Sequence, residues 1–140
     1  MPIAQLARDA VVHASTDTSL HDIAATMRDE RIGSVVITDD HRPVGIVTDR
    51  DITIRTVAEG SDPNSHVAGD IMSPDVCTVT EDTGFYEAAQ AMSEHGVRRL
   101  PICNEDGELT GIITVDDLTE LLSDEFRQLT SVIQAQRPPY

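Results

Sequence analysis

Apolar positions along this chain follow two periods. Leu20, Ile23, Ala24 and Met27 recur at helical spacing, and so do Phe85, Ala88, Ala89 and Met92. Each set predicts a helix with one buried face. Ser34-Val35-Val36-Ile37, Arg98-Arg99-Leu100-Pro101-Ile102, Gly45-Ile46-Val47 and Gly111-Ile112-Ile113 predict strands. The two Gly-led runs are uninterrupted and apolar, so they are expected as buried central strands. Val11–Ala14 and Val76–Val79 are shorter β-favouring runs ahead of each helix. The segments 15–19 and 80–83 offer Ser and Thr as helix N-caps, and Gly33 and Gly96 fall where the helices should stop. Asp39–Arg42 and Asn104–Gly107 read as hairpin turns.

A further helix follows residue 118, with Leu118, Leu121, Leu122, Leu129, Val132 and Ile133 as its apolar stripe. It either caps its own core or packs on a second subunit. The tail from Arg137 to Tyr140 is expected to fray.

These elements form a repeat. Leu20, Ala24, Ala25 and Met27 match Phe85, Ala89, Gln90 and Met92 at an offset of 65 residues. The block Gly45–Ile52 matches Gly111–Leu118 at 66, so one residue was added in the intervening turn. Two copies of one strand-helix-strand-strand-helix unit imply pseudo-two-fold symmetry and two equivalent clefts.

Composition narrows the class. A chain of 140 residues is one domain with room for a core, and its four aromatic residues make that core aliphatic. No apolar run is long enough to span a bilayer. The N-terminus lacks a basic region followed by an apolar one, so a cytoplasmic protein is expected. Cys77 and Cys103 then read as buried thiols, not as a disulfide. The net charge of −15 repels phosphodiester backbone and argues against nucleic acid as partner. All ten cations are Arg, and Asp outnumbers Glu by 16 to 9. Besides an ordinary acidic surface, this fits halophilic adaptation, in which salt screens the self-repulsion.

Thr-x-x-Asp follows an apolar strand twice, as Thr48 with Asp51 and Thr114 with Asp117. A capping box accounts for that spacing. The same geometry suits a ligand: N–H groups at a helix start attract anions, Thr offers a hydroxyl, and Asp can accept from both hydroxyls of a ribose. The residues alone leave both readings open. No catalytic set is visible. The His residues at 13, 21, 41, 66 and 95 have no metal spacing, no nucleophile elbow or Gly-rich phosphate loop occurs, and Asp116 and Asp117 diverge at a helix start. No enzyme and no metal site are expected.

The chain resembles a tandem pair of CBS domains, the repeats named after cystathionine β-synthase. The resemblance rests on Asp70-Ile71-Met72-Ser73, on Gly96–Ile102, and on Gly45–Ile52 with its counterpart Gly111–Leu118. It spans nearly all of residues 5–122. It implies an α+β fold in which two β-α-β-β-α repeats pack through their sheets into one Bateman module. The expected boundaries are 1–60 for the first repeat, 61–69 for a linker, 70–122 for the second repeat, and 123–140 for a C-terminal helix and tail.

The resemblance also implies adenosine ligands (AMP, ATP or S-adenosylmethionine) in the clefts, with Asp51 and Asp117 holding ribose. Arg98 and Arg99 match basic positions that some relatives direct at phosphates. The first copy has Gly33 and Ser34 there, so its phosphate equipment is expected to be weaker. Strand alternation would send one of the two Arg outward. The expected site is therefore Thr48, Asp51, Arg98, Arg99, Thr114 and Asp117. The expected function is a stand-alone regulatory sensor, homodimeric, acting on a protein partner without a required cofactor and without contact to membrane. The alternative is a dimerising interaction module with vestigial clefts.

Overall fold

The computed structural model describes residues 2–74 and 76–139. The chain folds into two three-stranded sheets of identical topology. In the first copy, β1 (His13–Ser15) leads through α1 (Leu20–Glu30) to β2 (Ser34–Asp39) and β3 (Arg42–Thr48). Then comes α2 (Asp49–Ile52), extended by a π turn over Thr53–Val57. A short α3 (Ala68–Ile71) precedes the second copy: β4 (Val79–Thr80), α4 (Phe85–His95), β5 (Arg99–Cys103), β6 (Leu109–Thr114) and α5 (Val115–Ala135). β1 runs parallel to β2, and β2 pairs antiparallel with β3; β4, β5 and β6 repeat the pattern. The expected α+β architecture of two β-α-β-β-α copies is what forms.

The added residue sits in the second hairpin. Thr38 pairs with Pro43 across four residues, and Cys103 pairs with Leu109 across five. The first turn is tighter, and it needs Asp40 and His41 in the left-handed region, at φ 50° and 64°.

Several details differ from expectation. Gly45–Val47 and Gly111–Ile113 are interior as expected, but they lie in edge strands; β2 and β5 are central. The parallel crossover places β1 and β3 on opposite sides of β2, which leaves β3 an outer edge. That edge is not left bare. Ile46 exchanges backbone hydrogen bonds with Ser73, and Ile112 does so with Arg8. β1 starts at His13 and β4 holds only Val79 and Thr80, so both are shorter than the apolar runs that announced them. Gly84, not a Ser or Thr, caps α4, with Glu87 accepting its N–H at 3.2 Å. α1 stops at Arg31, two residues before Gly33, with Arg31 left-handed at φ 56°. Gly96 does the same for α4 at φ 63°.

Each copy has its own aliphatic core. Leu20, Ile23, Met27, Val35, Ile37 and Val47 form the first; Ala88, Met92, Leu100, Ile102, Ile113 and Leu118 form the second. The lead-in segments are exchanged. Ile3, ahead of the first copy, is buried in the second core, while Ala68 and Ile71, ahead of the second copy, are buried in the first. Separating the copies would expose these side chains, so the exchange locks them together. Arg42 adds a tie between hairpins, donating to the Asp106 carbonyl at 2.9 Å and 3.0 Å.

Only the start of α5 caps its own core. Leu118 is buried, whereas Leu122, Phe126, Leu129, Val132 and Ile133 are exposed. Of the expected tail, Tyr140 lies outside the described residues. No helix among the described residues is long and apolar enough to cross a membrane.

Candidate ligand clefts

Two clefts of about 500 Å³ and about 450 Å³ open between the copies, within the size range of small-molecule sites. The pseudo-two-fold relates much of their walls, but Asp51 lines its cleft whereas Asp117, held in its capping box, is not among the residues lining the other. The Thr48 cleft is lined by Ile46, Thr48, Asp51, Val76, Cys77 and Pro101, the Thr114 cleft by Ile112, Thr114, Val11, Val12 and Val36. A short apolar wall thus faces a polar strand-to-helix junction in each.

The junctions are built alike. Thr48 caps α2: its hydroxyl accepts the Asp51 N–H at 3.1 Å, and Asp51 Oδ2 accepts the Thr48 N–H at 2.9 Å. Thr114 caps α5 in the same way, at 3.2 Å and 2.9 Å, and also donates its hydroxyl to Asp117 at 2.9 Å. Both capping boxes are therefore formed. Each uses Oδ2 of its acid, leaving Oδ1 to other partners. Arg8 Nη2 lies 3.6 Å from Asp117 Oδ1, and Arg55 Nε lies 3.9 Å from Asp51 Oδ1.

The clefts do not divide by copy. Arg98 and Arg99 belong to the second repeat but line the Thr48 cleft, opposite the first repeat's Asp51. Gly33 and Ser34 of the first repeat line the Thr114 cleft. Packing of the copies brings the start of β5 toward the α2 junction, so Arg98 lies across from the first copy's acid, while Arg99 borders both clefts. The alternation argument holds for Arg98, whose side chain is 69% exposed and pairs with Asp116 at 3.4 Å. Arg99 turns inward and is half-buried.

Three further cations line the clefts that sequence reasoning missed: Arg50 in the Thr48 cleft, and Arg8 and Arg31 in the Thr114 cleft. Arg31 carried a readable signal. It occupies the position that Gly96 holds in the second copy, and a non-Gly left-handed residue there costs about 1–2 kcal/mol. Such strain is a pointer to a functional side chain. Arg8 carried no signal, because its place beside Asp117 follows from the exchanged lead-in segment. Against these cations stand Asp49 in one cleft and Glu30 and Asp116 in the other. Half of the ten Arg in a chain of net charge −15 thus face the two clefts.

Neither thiol is in a disulfide. Burial pushes the Cys77 and Cys103 thiols up from their ordinary pKa, so both stay protonated at neutral pH. Among the described residues no three His, Cys, Asp or Glu side chains converge as a metal site would require.

Comparison with known proteins decides the family. The CBS domain profile matches residues 3–55 and 68–124. The chain belongs to the CBS domain family, as a tandem pair. An uncharacterized protein of Methanopyrus kandleri is 43% identical over 115 residues, 81% of this CBS pair, which spans only 58% of that relative's length. Hypoxic response protein 1 of Mycobacterium tuberculosis is 39% identical over 100 residues, 71% of this chain and 69% of its own. Among solved structures, a CBS domain protein of Pyrobaculum aerophilum complexed with AMP superposes with a TM-score of 0.76 at 28% identity, covering 84% of this chain and 89% of that one.

Proposed function

We propose that this CBS pair is a regulatory module that binds a phosphate-bearing adenosine ligand in the clefts between its repeats and passes the occupancy to a protein partner. One observation carries the reading: five of ten Arg face the two clefts of a strongly acidic chain, each cleft next to a Thr-x-x-Asp junction. Elsewhere the acidic surface repels anions, so the clefts are where an anion would go. In this reading Asp51 and Asp117 accept from ribose hydroxyls through Oδ1, Thr48 and Thr114 flank the phosphate, and Arg98 and Arg99 neutralise it. The AMP complex of the Pyrobaculum relative supports an adenosine ligand. Cation-lined walls favour AMP or ATP over S-adenosylmethionine, whose sulfonium they would repel. No cofactor is needed for such a role. Calorimetry with AMP, ATP, S-adenosylmethionine and adenosine tests the reading. The expected result is tightest binding of a phosphorylated member; no binding of any of the four would remove it.

The exposed face of α5 favours a second role beside the first, homodimerisation. Phe85, Ala89, Met92, Leu118 and Leu122 line an apolar groove between α4 and α5. The stripe Phe126, Leu129, Val132 and Ile133 continues from that groove along the same helix. A groove between α4 and α5 beside a stripe along α5 would give a two-fold interface both a hollow and a ridge to pair. Light scattering should give a dimer at micromolar concentration in high salt; a monomer would leave the stripe for another partner.

A further inference from the structure

Arg99 lines both clefts. It starts β5 opposite Thr114, and its side chain is half-buried. The guanidinium reaches the first repeat: a Cβ built on Gly33 would lie 3.5 Å from Arg99 Nη2, which is ordinary contact, and 3.3 Å from Asp49 Oδ2. The symmetry-related position in the first copy is Ser34, which cannot return the favour. Among the described residues no carboxylate comes within salt-bridge distance of the Arg99 guanidinium, whereas Arg98 and Arg8 are both engaged. One half-buried cation without a carboxylate partner therefore borders both clefts, in the wall that separates them.

We infer that the two clefts compete for Arg99, so that a phosphate bound in one weakens phosphate binding in the other. This rests on the ligand reading above. A guanidinium meets a phosphate best as a bidentate pair, and turning its fork toward one cleft withdraws it from the other. The two phosphates would also repel one another across a low-dielectric wall. Both effects act on the phosphate alone. Adenosine, which lacks it, should fill the clefts independently. The module would then respond in two stages to AMP, with one cleft filling at low concentration and the other only well above it.

The experiment is a site-resolved titration of the whole chain by NMR. The Thr48 and Thr114 amides report the two clefts separately. In Asp51→Asn the Thr48 cleft is weakened while an oxygen remains for the helix cap; Asp117→Asn does the same for the Thr114 cleft. The expected result is that AMP affinity at the cleft which fills second rises about 10-fold when the other is disabled, a typical coupling factor. In an Arg99→Gln background that gain should vanish, and with adenosine it should not appear. A second cleft whose AMP affinity does not change on disabling the first overturns the inference and leaves the ligand reading intact. So does a gain that persists without Arg99, or one equally large with adenosine. If Arg99→Gln fails to fold, the AMP and adenosine arms on the other variants still decide it. Absence of binding by both ligands overturns the ligand reading, and the inference with it.

Discussion

The two clefts have the same backbone and opposite ways of placing charge. In the Thr48 cleft the cations come from the far wall and the helix start: Arg98, Arg99 and Arg50. In the Thr114 cleft those three positions are Gly33, Ser34 and Asp116, and the cations come instead from Arg8 and Arg31. Their counterparts across the axis are Ser73 and Gly96. The two copies share one scaffold, and the side chains that fill it differ while three guanidiniums line each cleft, one of them shared. What the clefts have in common is therefore positive charge, not residue position. The cations differ in freedom too. Arg8 is engaged with the acid it faces, at 3.6 Å from Asp117. On the proposed reading, a ribose in that cleft would compete with a guanidinium for Asp117, whereas beside Asp51 the Arg55 guanidinium lies at 3.9 Å and donates to the Ile71 carbonyl at 2.7 Å.

The largest expected effect sets the clefts against the rest of the surface. Outside them the chain carries dense negative charge, and the Debye length is about 30 Å at 0.01 M salt and about 3 Å at 1 M. The folded state concentrates that charge more than the unfolded chain does. The melting temperature should therefore climb steeply between about 0.01 M and 1 M KCl. Phosphate binding at Arg98 and Arg99 should weaken over the same range, because the same screening acts on attraction there. Calorimetric melting and ligand titration across one salt series would read both. A flat melting curve would mean the charge is ordinary solubilising surface, and the halophilic reading falls.

The next effect separates the clefts from each other. Asp51→Ala and Asp117→Ala each remove a carboxylate that can make charge-assisted hydrogen bonds to a ribose, so each should weaken AMP in its own cleft by about 1–3 kcal/mol. The loss should be larger for Asp51, because Asp117 is already spending part of its charge on Arg8. Arg8→Ala then strengthens AMP at the Thr114 cleft if competition for Asp117 outweighs the lost cation, and weakens it otherwise. Unchanged affinity in both Asp variants, with only a modest loss of melting temperature, would return the Thr-x-x-Asp pairs to a purely capping role.

Most of the scaffold was legible because it is local. Helical spacing placed α1 and α4, the repeat placed the hairpins, and the capping boxes at Thr48 and Thr114 form as their spacing requires. What was not legible depends on how the copies pack. That Arg98 lines the cleft of the other copy's acid, and Arg99 both clefts, is a consequence of how the copies pack, and no pattern within one repeat encodes it. Arg8 is further removed, since it reaches its cleft only because the lead-in segments exchange cores. Edge placement of β3 and β6 was misread for a related reason. Their apolar runs report burial, which Val47 and Ile113 find in the two cores, while the strand edge is closed by Ser73 and Arg8 and not by a further strand.

The smallest effect tests whether that edge closure is equally tight in both copies. Gly45 and Gly111 hold matched positions in β3 and β6, with ordinary extended backbone, so substitution at either is decided by space alone. At Gly45 an added Cβ would sit 2.8 Å from Met72 Cγ and 3.1 Å from Met72 Cβ, closer than van der Waals contact allows. At Gly111 it would meet the Ala7 Cβ at 3.4 Å and the Arg8 carbonyl at 3.5 Å, which is ordinary contact. Gly45→Ala should therefore cost about 1–3 kcal/mol, as overpacking in a filled interior does. The lower end applies if Met72 swings its flexible side chain aside. Gly111→Ala should stay under about 1 kcal/mol. Met72 lies beside Ser73, whose backbone closes the β3 edge at the Thr48 cleft, so a strained Met72 also moves that cleft's wall. Denaturant unfolding of the two variants gives the comparison directly. Equal losses would mean that the two edges are closed with the same slack, and that the divergence between the clefts is confined to their side-chain charges.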